Sequence, residues 1–231
     1  MRILAIIPAR GGSKSIYRKN IINIGGIPLI AWTIKAALKS RYITKTIVSS
    51  EDTEILKISS KYGAETLVRP RKYAQDDTAM TSVVTHALNH FKRNDEEFDI
   101  LVLLQATSPL RDTNDIDTAI QLYIQKKATA IISGYKPEKS PYKSFRVTSG
   151  GLLRGLVNDK SPFMNRQQLP ETFYPNGAIH LIKITEFLRL KSFLTSKTLP
   201  YIMSSKKSMD IDTSKDIKLL SRALLKGSIS K

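Results

Sequence analysis

The sequence predicts an α/β fold with a mostly parallel central sheet and helices on both faces. Apolar runs of strand length alternate with segments of helical periodicity, and short connections join them. The length of 231 residues suits one domain with a full hydrophobic core. We therefore expect residues 1–231 to form a single domain.

The first predicted strand covers residues 3–8, a short isoleucine-rich run that ends at a proline. Continuous apolar character is typical of a strand buried on both faces, and a proline cannot donate to the next ladder position. The elements predicted after it are a helix over 29–38, a strand over 45–50, a helix from 53 to Gly63, a strand over 65–68, a helix over 79–91 and a strand over 99–105.

The alternation continues with a helix over 115–127 and a strand over 129–133, and it breaks between residues 134 and 175, where five prolines occur. Two strands, 143–148 and 152–157, flank Ser149-Gly150-Gly151 and predict a β-hairpin. One interpretation is a β-extension that covers a sheet edge. The chain ends with a predicted strand over 177–183, a helix over 185–191, a strand over 199–203 and a helix over 213–225.

The loop after the first strand is basic and contains Gly11 and Gly12. Glycines let the backbone turn and bring amide N–H groups close to a ligand. The positive charge of the loop comes from Arg10, Lys14, Arg18 and Lys19, and no acidic residue occurs among the first twenty residues. A basic loop at the carboxyl end of a strand predicts a phosphate site. The alternative is a solvated basic turn.

The composition narrows the class of protein. Zero cysteines exclude disulfides, thiolate metal sites and a cysteine nucleophile. No apolar run reaches the ~20 residues of a membrane span, and Met1 leads directly into the first strand, so we expect a cytoplasmic protein without membrane contact. The net charge of +17 favours either nucleic acid or a small polyanion as partner, and no nucleic-acid-binding motif is visible.

Asp210 and Asp212 are spaced i, i+2, so in an extended segment both carboxylates lie on one face and can approach one hard cation. Mg²⁺ prefers one or two carboxylates together with phosphate oxygens and water. The alternative is that Asp212 or Thr213 caps the last helix.

The basic loop, A-R-G-G-S-K-x-x-x-R-K-N, resembles the signature of the cytidylyltransferases that activate nonulosonic acids. That family includes the CMP-sialic acid synthetases and their legionaminic and pseudaminic acid relatives. The resemblance continues at L-Q-A-T-S-P-L-R (104–111), N-R-Q-Q-L-P (165–170), P-N-G-A-I (175–179) and D-I-D-T (210–213).

The resemblance implies a nucleotide-diphospho-sugar transferase-like fold and a reaction in which CTP and a nonulosonic acid give the CMP-sugar and pyrophosphate. It implies that Asp210 and Asp212 hold Mg²⁺, for which Mn²⁺ can substitute. It also implies a homodimer, in which a β-hairpin arm over residues 135–170 reaches the partner's active site.

The expected catalytic residues are Arg10, Lys19 and Asp212. The expected nucleotide contacts are Arg10, Gly11, Ser13, Lys14, Lys19, Asn20, Arg69, Ala79 and Thr81. The expected sugar contacts are Gln105, Ser108, Lys143, Arg166 and His180, of which the partner's arm supplies Lys143 and Arg166. His180 stands where the family often has tyrosine, and a lone histidine in a strand is more often structural than catalytic. Gln105 has an alternative role as a strand-end amide that bonds loop backbone.

Two other functions remain open. One keeps the fold and the nucleotide but takes 3-deoxy-manno-octulosonic acid as the sugar, although N-R-Q-Q-L-P and P-N-G-A resemble the nonulosonate branch. The other is a basic nucleic-acid-binding module without catalysis, which predicts salt-dependent binding and no pyrophosphate release. The general base of the reaction is also open between a metal-bound hydroxide and a carboxylate of the D-x-D pair.

Overall fold

A computed structural model of the chain describes residues 1–225, with side chains described as far as Arg222. Within this part the helices are α1 (Leu29–Leu38), α2 (Thr53–Lys61), α3 (Met80–Arg93), α4 (Thr113–Gln125), α5 (Ile184–Leu190) and α6 (Ser214–Leu225). The strands are β1 (Ile3–Pro8), β2 (Asn23–Ile24), β3 (Ile27–Pro28), β4 (Lys45–Ser50), β5 (Glu65–Val68), β6 (Ile100–Leu103), β7 (Ala130–Tyr135), β8 (Phe145–Val147), β9 (Leu153–Gly155), β10 (Tyr174–Lys183) and β11 (Thr198–Ile202).

Seven of the strands form one sheet in the order β11-β7-β10-β6-β1-β4-β5. β1 lies between β6 and β4 and pairs with both in parallel. Its residues 3–7 are completely buried, as its continuous apolar sequence predicts for a strand covered on both faces. The mostly parallel central sheet predicted from the alternation is therefore confirmed.

β10 is the strand that departs from the parallel arrangement. It runs antiparallel to both of its neighbours, β6 and β7, and its register shifts between Pro175 and His180. Gly177 lies at this irregularity with φ +71°, in the left-handed region that glycine adopts without strain. β7 and β6 follow each other in the predicted order of strands, yet β10 separates them.

Helices cover both faces of the sheet, as predicted. α1, α2 and α4 contribute buried side chains such as Ile34, Ile55 and Ile120 to the apolar cluster on one face. α3 and α5 contribute to the cluster on the other face through residues such as Val84 and Phe187. In the described part of the chain, no helix combines the length and the apolar character needed to span a membrane.

Two short hairpins lie outside the main sheet. β8 and β9 pair antiparallel and form the hairpin predicted around Gly150. β2 and β3 form a small ladder in a stretch for which no strand is predicted, because two-residue strands are too short to give a periodic signal. The other elements begin and end within a few residues of their predicted bounds; α4 starts early, at Thr113, because Asp112 and Asp115 form a capping box.

Candidate active site

A cleft of about 420 Å³ opens at the carboxyl ends of β1 and β6. Ligands of open α/β sheets bind at such ends, where the loops leave the strands. The lining side chains come from four stretches of the sequence: 8–20, 69–83, 105–107 and Asp212.

The loop after β1 is held by the N-terminal end of α2. The backbone N–H of Gly11 donates to Glu51 Oε1 at 2.7 Å, and a Cβ at Gly11 would overlap the Asp52 carboxylate. Arg18, with φ 51°, donates to Asp52 at 2.8 Å and lies 2.8 Å from a Glu54 carboxylate oxygen. Arg18 thus anchors the loop, and Gly11 permits its close approach to the helix.

Asn20 and Arg69 complete the support of this loop. The buried Asn20 side chain donates to the carbonyl oxygen of Arg10 at 2.9 Å. Arg69 is also buried, and it donates to Glu51 at 3.1 Å and to the carbonyl oxygen of Ala9 at 3.2 Å. Burial lowers the pKa of Arg69, and the charge of Glu51 opposes this shift. Both residues line the cleft while holding the backbone that carries Arg10.

Asp76 is a cleft residue that our sequence analysis missed. Its carboxylate lies 2.6 Å from Arg10 Nη1 and 2.6 Å from Lys14 Nζ. The ammonium of Lys14 and the guanidinium of Arg10 hold the pKa of this carboxyl below its usual value. A signal was present, because the loop over 69–78 contains two acidic residues among several basic ones. Asp76 thus pairs with two of the cations that we expected to bind phosphates.

Lys19 and Asp212 meet across the cleft. Lys19 Nζ donates to Asp212 Oδ1 at 2.9 Å. The Asp212 side chain does not cap α6; instead, Asp216 accepts bonds from the backbone N–H of Asp212 and from the N–H and hydroxyl of Thr213. Thr213 and Asp216, and not Asp212, therefore form the hydrogen bonds at the start of α6. The Asp212 carboxylate lines the cleft instead.

Of the two aspartates of the D-x-D pair, Asp210 is the more buried. Its Oδ1 is buried and has no hydrogen-bond partner within residues 1–222. Burial raises the pKa of its carboxyl, and the charge of Asp212 adds to the shift. Between the two aspartates, the Ile211 N–H donates to the Thr107 carbonyl oxygen at 2.9 Å. An unpartnered buried carboxylate oxygen beside a second carboxylate fits a hard divalent cation such as Mg²⁺.

The expected sugar contacts lie in several places. Gln105 lines the cleft and packs against Gly177, where a Cβ would lie 2.7 Å from Gln105 Oε1. Ser108 is buried, and its hydroxyl has no partner in the described part of the molecule. His180 packs against the ring of Phe193 at a centroid distance of 5.3 Å, and burial lowers its pKa.

The two residues expected on the arm, Lys143 and Arg166, do not line the cleft of their own chain. Lys143 belongs to a short 3₁₀ turn, Pro141–Lys143. Arg166 begins another, Arg166–Gln168, and lines a separate cavity of about 160 Å³. Several arm side chains are exposed although apolar, for example Val147 (69% exposed) and Phe163 (81% exposed).

Three expected nucleotide contacts, Gly11, Ala79 and Thr81, fall outside the cleft lining. Ala79 immediately precedes α3. Thr81 lines a neighbouring cavity of about 520 Å³, whereas Thr78 and Met80 line the cleft. The cleft thus brings together Arg10, Ser13, Lys14, Lys19, Asn20, Arg69, Gln105 and Asp212 among the residues predicted from the sequence.

Comparison with known proteins gives consistent similarities. Residues 4–169 match a protein-family profile described as cytidylyltransferase. The chain is 34% identical over 219 residues to the N-acylneuraminate cytidylyltransferase of Escherichia coli, covering 94% of this chain and 51% of that protein. It therefore spans about half the length of that relative.

Other relatives are covered over nearly their whole length. The chain is 33% identical to the CMP-N,N'-diacetyllegionaminic acid synthase of Legionella pneumophila, covering 92% of each protein. It is 29% identical to the pseudaminic acid cytidylyltransferase of Campylobacter jejuni, covering 94% of each. Among solved structures, that of a CMP:2-keto-3-deoxy-manno-octonic acid synthetase complexed with CTP superposes with a TM-score of 0.70 at 16% identity. This match covers 99% of the present chain and 100% of the other. It supports the fold.

Proposed function

Because this chain belongs to the cytidylyltransferase family, we propose that it transfers CMP from CTP to a nonulosonic acid and releases pyrophosphate. The anomeric hydroxyl of the sugar acid attacks the α-phosphorus. The bond from that phosphorus to the bridging oxygen breaks, pyrophosphate leaves, and the hydroxyl proton passes to a base. The three relatives described above are named for nonulosonic acids, which favours this sugar class over 3-deoxy-manno-octulosonic acid.

The observation that carries the proposal is that basic side chains and a carboxylate line the same cleft. Arg10, Lys14 and Lys19 line it from the loop after β1, and Asp212 lines it from the opposite end of the chain. Phosphoryl transfer needs alignment and charge neutralisation more than covalent help from the protein. Arg10 and Lys14 are suited to the phosphates of CTP, because the two cations share the single carboxylate of Asp76, which a phosphate could replace.

Asp210 and Asp212 are the residues that would hold Mg²⁺. A bound Mg²⁺ would neutralise charge on the phosphates and on the leaving pyrophosphate. The described residues contain no group of three or more histidine, cysteine, aspartate or glutamate side chains placed for one metal. Two carboxylates from the chain, completed by phosphate oxygens and water, are the ligand set that Mg²⁺ commonly takes at nucleotide sites.

Gln105 is the sugar-side residue of the same cleft, and we propose that its amide binds the sugar acid. Lys143 and Arg166 would arrive from the arm of a second subunit, because they lie outside the cleft of their own chain. The exposed apolar side chains of the arm, such as Phe145, Val147 and Phe163, favour a contact between subunits. The proposed enzyme is therefore a homodimer with composite sites.

Pyrophosphate release from CTP tests the proposal directly. The purified chain is incubated with each nucleoside triphosphate, with or without Mg²⁺ or Mn²⁺, and with N-acetylneuraminic, legionaminic, pseudaminic or 3-deoxy-manno-octulosonic acid. We expect release with CTP, a divalent cation and a nonulosonic acid together. Equal turnover with UTP, or turnover without metal, contradicts the proposal. Tight salt-dependent binding to nucleic acid without any turnover would support the non-catalytic alternative instead.

A further inference from the structure

Lys207 makes a pair of ionic contacts outside the cleft. Its Nζ lies 2.6 Å from Asp112 Oδ2 and 2.9 Å from Asp115 Oδ2. The Asp115 side chain is only 7% exposed, and its other oxygen accepts a bond from the Tyr201 hydroxyl at 3.2 Å. Although burial opposes it, the two carboxylates raise the pKa of Lys207. Lys207 is therefore a charged group held in one place by a half-buried ion-pair network.

The two ends of this network belong to segments with separate tasks. Asp112 and Asp115 form the capping box of α4, directly after the loop that carries Gln105. Lys207 lies three positions before Asp210, in the segment that connects β11 to the D-x-D pair. The ion pairs thus fasten the segment of the metal-binding carboxylates to the loop on the sugar side of the cleft.

A second contact fastens the same two segments on the other side of Asp210. The Ile211 N–H donates to the Thr107 carbonyl oxygen at 2.9 Å, and Ile211 is completely buried. One backbone hydrogen bond restrains the distance between the two segments, but the segments can still rotate relative to each other about that bond. Two attachments, at Lys207 and at Ile211, restrain both, and Asp210 lies between them.

We propose that Lys207 is a positioning residue: by bridging Asp112 and Asp115, it holds Asp210 and Asp212 in register with the loop over 105–111. This role rests on the proposed function, because it places the two carboxylates relative to the sugar acid. Lys207 itself is not among the residues that line the cleft. Reactions that depend on alignment are sensitive to displacements of about 1 Å in the groups that hold the reactants.

Three variants and one matched control test the role. Lys207→Met keeps most of the length of the side chain and removes its charge, and Lys207→Arg keeps a charge that can bridge two carboxylates. Asp115→Asn removes the buried partner. Lys206→Met is the control, because Lys206 is exposed, lies next in sequence, and forms no ion pair with the described residues.

The first readout is hydrogen exchange at the Ile211 amide, which reports on the attachment without any need for catalysis. We expect exchange at least about tenfold faster in Lys207→Met than in Lys206→Met, since loss of the ion pairs allows local opening. Lys207→Arg should restore slow exchange. Equal exchange in Lys207→Met and Lys206→Met would overturn the proposal, whatever the activity of the protein.

The second readout is Mn²⁺ binding in the presence of CTP, together with kinetics. We expect the Mn²⁺ dissociation constant of Lys207→Met and Asp115→Asn to rise about tenfold, and kcat to fall while KM for CTP changes little. Lys207→Arg should recover most of both. Faster exchange without any change in Mn²⁺ affinity or kcat would overturn the positioning role. If the wild type binds no Mn²⁺ and releases no pyrophosphate, the proposed function fails, and the exchange data still decide whether the attachment exists.

Discussion

The ammonium of Lys19 lies 2.9 Å from the carboxylate of Asp212, although 193 positions separate the two residues. The pair joins the loop after the first strand to the segment before the last helix. Lys19 is the more enclosed partner, since its side chain is 13% exposed against 66% for Asp212. In the proposed reaction, CTP and Mg²⁺ would replace this contact, since Lys19 would bind a phosphate and Asp212 would bind the cation.

Asp212→Asn should lower kcat at least about 100-fold while leaving the melting temperature nearly unchanged. The Asp212 carboxylate does not cap α6, so its loss removes no helix contact. Melting and kcat are measured on the same sample. Asp216→Asn is the comparison, and it should cost about 1 kcal/mol of stability because Asp216 accepts the bonds at the start of α6. A lowered melting temperature with normal kcat in Asp212→Asn would contradict the metal role.

Asp76→Asn should tighten CTP binding about threefold, because CTP then no longer has to break the ion pairs of Arg10 and Lys14 with the Asp76 carboxylate. The gain should shrink at high salt, which screens the exposed ion pairs. Asp77→Asn is the matched control, since Asp77 is the exposed neighbour without an ion pair in the described structure. The measurement is the CTP dissociation constant of each variant, obtained by titration. Weaker binding in Asp76→Asn would mean that Asp76 itself contacts the nucleotide or its cation.

Gly177→Ala should lower kcat/KM for the sugar acid at least about tenfold and change the dissociation constant of CTP little. A Cβ there would lie 2.7 Å from Gln105 Oε1 and would require φ +71° of an alanine. The strained backbone should also cost roughly 1–2 kcal/mol of stability. The same substitution in a Gln105→Ala background separates the two effects. If the loss of kcat/KM is equal in both backgrounds, Gly177 does not act through Gln105.

His180→Gln should gain stability relative to the wild type as the pH falls from 7 to 5. Burial lowers the pKa of His180 in the folded state, whereas the unfolded chain keeps a value of about 6.5. Below that value the unfolded state binds more protons, so the wild type loses stability as the pH falls. Denaturant unfolding at several pH values gives the difference between the two proteins. A difference that does not depend on pH would contradict the lowered pKa.

An Arg166→Ala chain and an Arg10→Ala chain should each be inactive alone and should recover activity when refolded together. Random pairing makes half of the dimers hybrid, and each hybrid has one intact site in two. Activity should therefore reach about a quarter of the wild type at most, for a symmetric dimer with independent sites. Size analysis confirms that hybrids form. No recovery after that would place Arg166 outside the partner's site.

The helices and strands with strong periodicity could be predicted from the sequence. The hydrogen bonds and ion pairs between the segments that line the cleft could not. β1 and α1 were predicted at their observed bounds. An unbroken isoleucine-rich run indicates a buried strand, and an i, i+4 apolar pattern indicates a helix. The antiparallel direction of β10 was not predicted. Strand direction follows from the path of the chain between strands, and the irregular stretch before β10 carries no periodic signal.

The candidate site divides in the same way. Arg10, Lys14 and Lys19 were predicted because they lie within one loop beside glycines. Asp76 and Lys207 were missed, because each acts through partners that are distant in the sequence. Arg18 shows the opposite case: it belongs to the positive charge of the basic loop, yet its guanidinium pairs with Asp52 and Glu54. Charge in a loop is visible in the sequence, whereas the neutralisation of that charge depends on the fold.

The place of β10 in the sheet has a consequence for synthesis on the ribosome. β1, β4, β5 and β6 can pair as soon as residue 103 has emerged, but the free edge of β6 is covered only by residues 180–183. Until then a nascent chain presents an unpaired, apolar strand edge, which is a template for aggregation. Premature release of the chain between these points would give a fragment in which this edge of β6 stays unpaired.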